Sequence, residues 1–246
     1  MLGFLLAVLT GVTLGLLGGG GSILTVPILV YAVGIETKIA VALSLAVVGT
    51  TTLFGTFGHL RNKNVDIKVA LIFGVFAIPS TFLGAYLSQF VSSSIQLIIF
   101  AIIMMLAAIF MFKGKKNLNK KEPQKNNELI ILSGFFVGLL TGFIGVGGGF
   151  LIVPALILFT GTDMKKAVGT SLFIITINSF FGFISNLNYV EIPWIFLIQF
   201  TGCSVVGIFI GVRLVKYISQ ELLKKSFAIF LILMGLFILF KNISAG

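Results

Sequence analysis

Apolar runs, each long enough to cross or half-cross a bilayer, follow one another along this chain with short polar breaks between them. Five segments come first, at 2–17, 22–34, 38–60, 67–88 and 93–112. A hydrophilic stretch follows at 113–128, and then five more segments at 129–144, 149–161, 165–187, 193–215 and 220–240. A spanning helix needs about 20 apolar residues. The 13 residues of 22–34 and of 149–161 would reach only about 20 Å as helix. These two read as half-helices or re-entrant segments. Residues 69–112 hold no charged side chain at all.

Composition agrees with this pattern. Hydrophobic residues make up 58% of the 246 and charged residues 10%, with a mean hydropathy of +1.17. Soluble domains carry about 25% charged residues, so the expected class is an all-α polytopic membrane protein embedded in the lipid bilayer of the cell membrane. The net charge of +10 does not point to nucleic acid. The basic residues sit in short runs between apolar segments, as topology signals do. One cysteine, Cys203, and one histidine, His59, exclude an intrachain disulfide and a Cys/His metal site, and no cofactor is expected. Met1 to Leu17 has neither a basic leader nor a small-residue cleavage site, so it reads as the first membrane segment rather than a cleaved signal.

The chain repeats itself. Displaced by 127 positions without a gap, 18 of 50 residues are identical between 11–60 and 138–187. Gly11, Gly15, Gly18, Gly20, Gly21, Val26 and Pro27 fall on Gly138, Gly142, Gly145, Gly147, Gly148, Val153 and Pro154. Lys38, Ala40, Val41, Ser44 and Leu45 fall on Lys165, Ala167, Val168, Ser171 and Leu172. The expected division is a first transmembrane repeat at 1–112, a basic cytoplasmic linker at 113–128 and a second repeat at 129–246.

Basic residues then set orientation. The linker carries Lys113, Lys115, Lys116, Lys120, Lys121 and Lys125 and is placed inside. The loop at 61–68 has Arg61, Lys63 and Lys68, whereas its repeat partner at 188–195 has none. The loop at 88–94 has none, whereas its partner is flanked by Arg213, Lys216, Lys224 and Lys225. Equivalent loops of opposite bias predict inverted repeats of four to five segments, each with a glycine-interrupted half-helix, and both termini outside.

The two glycine runs carry the candidate chemistry: Gly18, Gly19, Gly20, Gly21 and Ser22 in one half, Gly145, Gly147, Gly148 and Gly149 in the other. Each opens a short helix whose first N–H groups lack intrahelical partners and carry partial positive charge. Such an end suits an anion, and paired broken helices mark substrate sites in transporters. The competing reading, close helix packing, fits the small-xxx-small pairs Gly11/Gly15, Gly138/Gly142 and Gly207/Gly211. A nucleotide loop is excluded, because no lysine follows the glycines. Ser44, Thr51, Ser171 and Asn178 join the candidate site from the polar bands of the following helices, which also hold Thr50, Thr52, Thr176 and Ser179. Some of these bands would be glue between helices. His59 joins as an anion or proton group, against the plainer reading of an interfacial cap; Asn186 is its repeat partner. Trp194 and Tyr189 read as interface anchors.

LLGGGGSILTVPIL at 16–29, IGVGGGFLIVPAL at 144–156, KIAVALSL at 38–45 with KKAVGTSL at 165–172, and GHLRNKNVD at 58–66 resemble the sulfite exporter TauE/SafE family, also called the toluenesulfonate uptake permease family. The likeness covers essentially the whole chain. It implies transport of a small sulfur oxyanion or organosulfonate. The second half has Ser185 and Asn186 where the first has Gly58 and His59, so a histidine role is not duplicated. The function expected is a secondary transporter holding a small anionic substrate near the midplane while the repeats rock around it. The alternatives are an anion channel of the same architecture, a membrane enzyme or an assembly factor. No catalytic set supports an enzyme. A proton or sodium as coupling ion, and a homo-oligomer, stay open as partners.

Overall fold

The computed structural model describes residues 2–113, 127–144, 149–187 and 190–244. Among these the chain is helical: α1 (Leu2–Leu17), α2 (Gly20–Pro27), α3 (Thr37–Arg61), α4 (Ile67–Ser88), α5 (Ser93–Lys113), α6 (Asn127–Ile144), α7 (Gly149–Thr160), α8 (Met164–Asn186), α9 (Trp194–Val215) and α10 (Gln220–Ser244). Six of them (α3, α4, α5, α8, α9, α10) are long and apolar enough to cross a membrane, and α1, α2, α6 and α7 are shorter. Large apolar side chains face outward all round. Phe82, Ile195, Ile198 and Phe240 are among the most exposed, which is the expected surface for lipid and not for water.

The short helices explain themselves locally. α1 stops at Gly18, whose φ of +64° suits glycine and whose N–H donates to the Leu14 carbonyl at 2.8 Å. α2 begins at Gly20 rather than Ser22, folding back on the last turn of α1. Pro27 has no N–H to give the ladder, and after it the helix widens into a π turn over Ile28–Ala32. Both half-helices then end in one way. Gly34 and Gly161 take φ of +83° and +65°. Ile35 donates to the Leu29 carbonyl at 3.0 Å, and Thr162 to the Leu156 carbonyl at 3.2 Å. These are Schellman caps, and every residue in one is 127 positions from its counterpart in the other.

Packing pairs the halves with each other. α1 lies parallel to α9, and α6 parallel to α4. Gly11 and Gly15 interleave with Gly207 and Gly211, and Gly138 and Gly142 with Ser80 and Gly84. A methyl group at Gly11, Gly207, Gly142 or Gly84 would overlap a facing backbone carbonyl. The small-xxx-small pairs are therefore helix contacts, and Gly84 extends the set. α5 packs on α10. α3 crosses α8 antiparallel, with Leu45 facing Gly182, Gly49 facing Ser179, Gly55 facing Leu172 and His59 facing Gly169. At the middle of that crossing the Thr176 hydroxyl donates to Thr52 Oγ1 at 2.9 Å, deep in the interior.

Candidate functional site

The two broken helices begin against each other. Gly19 lies on Gly149, so close that a methyl group would overlap the Gly149 carbonyl. Gly18 faces the Ser171 hydroxyl and the backbone of Val168 on α8. Gly18 to Gly21 and Ser22 are all buried, as is Gly149. Gly145, Gly147 and Gly148 lie outside the described residues, as do the side chain of Asn186, Tyr189 and linker residues 114–126.

Aromatic rings from the last helix of each half back the half-helices. Phe227 of α10, fully buried, packs on Gly20 of α2. Phe100 of α5, its partner at the 127-residue displacement, packs edge-on against Phe150 of α7 with centroids 4.9 Å apart. Each half-helix thus rests on the last helix of the other half. This contact was not foreseen, although the recurrence of phenylalanine at 100 and 227 was its signal.

The hydroxyl bands divide into two groups. Ser22 donates back to the Gly19 carbonyl at 2.6 Å, so its hydrogen is already used within the turn. Ser44 donates to Val41 at 2.7 Å, Ser171 to Val168 at 2.7 Å, and Thr52 to Val48 at 2.7 Å. Such bonds hold the serine or threonine hydrogen on its own helix and leave the oxygen free to accept. Thr51 Oγ1 and Asn178 Oδ1 are different. Both atoms are buried and neither has a hydrogen-bond partner. They are repeat equivalents, 127 positions apart. Ser44 and Thr51 lie seven residues apart on one face of α3, as Ser171 and Asn178 do on α8. A third orphan, Thr25 Oγ1, sits in α2; nothing singled it out among the apolar residues around it.

His59 is not an interfacial cap. It is fully buried. Its Nε2 lies 3.4 Å from the Gly15 carbonyl of α1. A carbonyl only accepts, so Nε2 carries the hydrogen and Nδ1 is left as a bare lone pair with no partner. The following loop docks on α8. Lys63 adopts φ of +56°, Asn64 packs its carbonyl on Gly169, and the Asp66 N–H donates to Thr170 Oγ1 at 3.0 Å. Asp66 then caps α4 through Val69 N–H at 3.2 Å. No group of three or more His, Cys, Asp or Glu that could hold a metal occurs among the described residues.

The model of the sulfite exporter TauE/SafE family matches residues 3–238. The chain belongs to this family. It is similar to a probable membrane transporter protein of Xylella fastidiosa, 31% identical over 95% of this chain and 92% of the relative. It is also similar to the probable membrane transporter protein YunE of Bacillus subtilis, 30% identical over 97% and 96%, and to one of Methanocaldococcus jannaschii, 30% identical over 95% and 94%. The family member described here is thus a membrane transporter and not an enzyme.

Proposed function

We propose that the protein is a secondary transporter of a small anion, a sulfur oxyanion or organosulfonate, that binds where the two broken helices meet. Two observations carry this reading: the contact of Gly19 with Gly149 where the broken helices begin, and two repeat-equivalent polar atoms, Thr51 Oγ1 and Asn178 Oδ1, left unpartnered in the interior. An orphaned buried polar atom costs about 1–3 kcal/mol. A bound ligand that bridges such groups offsets that cost. Gly18 to Gly21, Ser22, Ser44 and Ser171 complete the site in the first half and on α8. Gly145, Gly147, Gly148, Gly149 and Asn186 are its counterparts in the second half.

The alternating-access part of the reading rests on inverted repeats at 1–112 and 129–246. The antiparallel crossing of α3 and α8 supports it, because the contacts Gly49–Ser179 and Thr52–Thr176 map onto each other at the 127-residue displacement. The tightest packing runs between repeats, in α1 with α9 and in α4 with α6. In this reading the moving bodies are therefore mixed pairs rather than one repeat rocking on the other.

The test is ligand protection in detergent. Purified protein is melted with sulfite, sulfate, thiosulfate, methanesulfonate, carboxylates and a panel of cations, since a ligand of the folded state raises apparent stability. The expected result is a shift with one sulfur oxyanion that disappears in Thr51→Val/Asn178→Leu and in Gly20→Val, while the double variant stays folded without ligand. A shift with a cation alone would overturn the anion reading.

A further inference from the structure

Among the described residues His59 is the only buried side chain that can change its charge. Its Cβ faces Gly169 of α8, and its ring reaches the Gly15 carbonyl of α1 through Nε2, which sets the side chain in the seam between these two helices. One helical turn further along the same seam, Gly18 faces Ser171. The ring is therefore a neighbour of the first glycine run, and its Nδ1 lone pair is open. The second repeat has Asn186 at the equivalent position, which cannot titrate. Resting on the anion-transport reading of this site, we propose that His59 carries a proton as the co-substrate of each anion, from this one end of the molecule only.

The charged groups on the elements around the ring are few and sided. α1 has none. The helix and loop of His59 itself supply Arg61, Lys63 and Asp66; α8 supplies Lys165 and Lys166, with Asp163 just before it; α9 supplies Arg213, with Lys216 after it. Cations outnumber carboxylates, so this end attracts anions. An anion beside the imidazole favours the imidazolium, and the imidazolium holds the anion, so each load strengthens binding of the other. The step itself is small. A proton from water adds to the Nδ1 lone pair while Nε2–H stays on the Gly15 carbonyl. After the seam opens to the other side that proton leaves to water, and the neutral ring is restored. One proton with one monoanion makes the loaded seam electroneutral, which lowers the cost of carrying charge through the interior.

The test uses proteoliposomes of the full chain with the membrane potential clamped at zero. Labelled sulfite, sulfate, thiosulfate and methanesulfonate are first screened for exchange. Thiosulfate and methanesulfonate hold no titratable proton near neutral pH and serve as coupling probes. Under a gradient of about one pH unit, one-to-one coupling concentrates the anion about tenfold. The expected result is that accumulation in wild type, and a ratio of about one in His59→Gln and His59→Asn, with exchange slowed but still measurable and the anion melting shift reduced. Equilibration without accumulation in wild type overturns the proposal, independently of any variant. So does wild-type accumulation in His59→Gln, or loss of exchange in both folded variants, which would make the ring a structural or binding group. If sulfite alone exchanges, the same comparison is made with sulfite, and a lower accumulation in the variant carries the same meaning. If none of the four anions moves, the anion reading fails at the screen and this proposal falls with it.

Discussion

The two ends of the α3–α8 crossing are built on one backbone plan and finished with different chemistry. At one end His59 is buried, and the loop that follows it is docked on α8 by Gly169 and Thr170. At the other end the positions equivalent to Gly169 and Thr170 are Ala42 and Leu43, and Asn186 stands for His59. A methyl group at residue 169 would overlap the Asn64 carbonyl, and leucine offers no oxygen to an N–H group. Duplication preserved the crossing, the caps at Gly34 and Gly161 and the glycine runs, while the residues that let a loop close over the end survived or arose on one side only. On the proposed reading, the symmetric parts are those that a two-sided carrier would need twice, and the asymmetric parts would give its two sides different properties.

The comparison breaks most sharply at Gly169. Gly169→Ala, which gives this end its partner's residue, should lift the loop and cost about 1–3 kcal/mol, the range for overpacking. Its converse, Ala42→Gly, should cost only about 1 kcal/mol of helix propensity. Melting of the two variants measures the difference, and equal losses would mean that the loop dock contributes nothing. Thr170→Val comes next. It strands the Asp66 N–H and should lower stability by about 1–2 kcal/mol. It should also expose a cysteine placed at Lys63 to maleimide in a Cys203→Ser background, and unchanged labelling would show that the loop is held by other means. At the centre, Thr52→Val removes one partner of the interhelical Thr176 bond. Thr176 keeps its bond to the Leu172 carbonyl, so the loss should be about 1 kcal/mol or less. Smallest of all is Gly202→Ala on α9, where the added methyl meets nothing within 4 Å. It should stabilise by about 0.5–1 kcal/mol, and a loss there would indicate a neighbour, such as a second copy of the chain, against that face.

Much of this architecture was legible in the chain itself, because hydropathy and a gap-free repeat are both one-dimensional signals. The glycine runs, the half-length of the helices after them and the twin caps at Gly34 and Gly161 follow from residues that recur in register. What escaped notice depends on the third dimension. His59 stands beside Arg61, and a charged neighbour suggested an interface. The packing of α3 on α1, which brings the ring to the Gly15 carbonyl, shows it to be buried. Ser22 stands in the glycine run with no sign of a partner, and only the tight turn there brings the Gly19 carbonyl within reach of its hydroxyl. Boundaries moved for a similar reason: glycine runs were read as breaks, yet Gly20 and Gly21 already lie within α2. The glycine-to-backbone contacts that join α1 to α9 across the repeats are likewise invisible until the helices are placed.

The crossed support of the half-helices has a consequence for how the protein is made. The segment from Gly20 to Pro27 leaves the ribosome well before the ring that backs it, because Phe227 follows Gly20 by 207 residues (227 − 20). The first half must wait in the bilayer with one side of its broken helix unfilled while most of the chain is still being synthesised. Loss of α10 by an early stop codon would be felt far back along the chain, in α2. Two separately expressed halves, cut in the linker, would each be incomplete until they met.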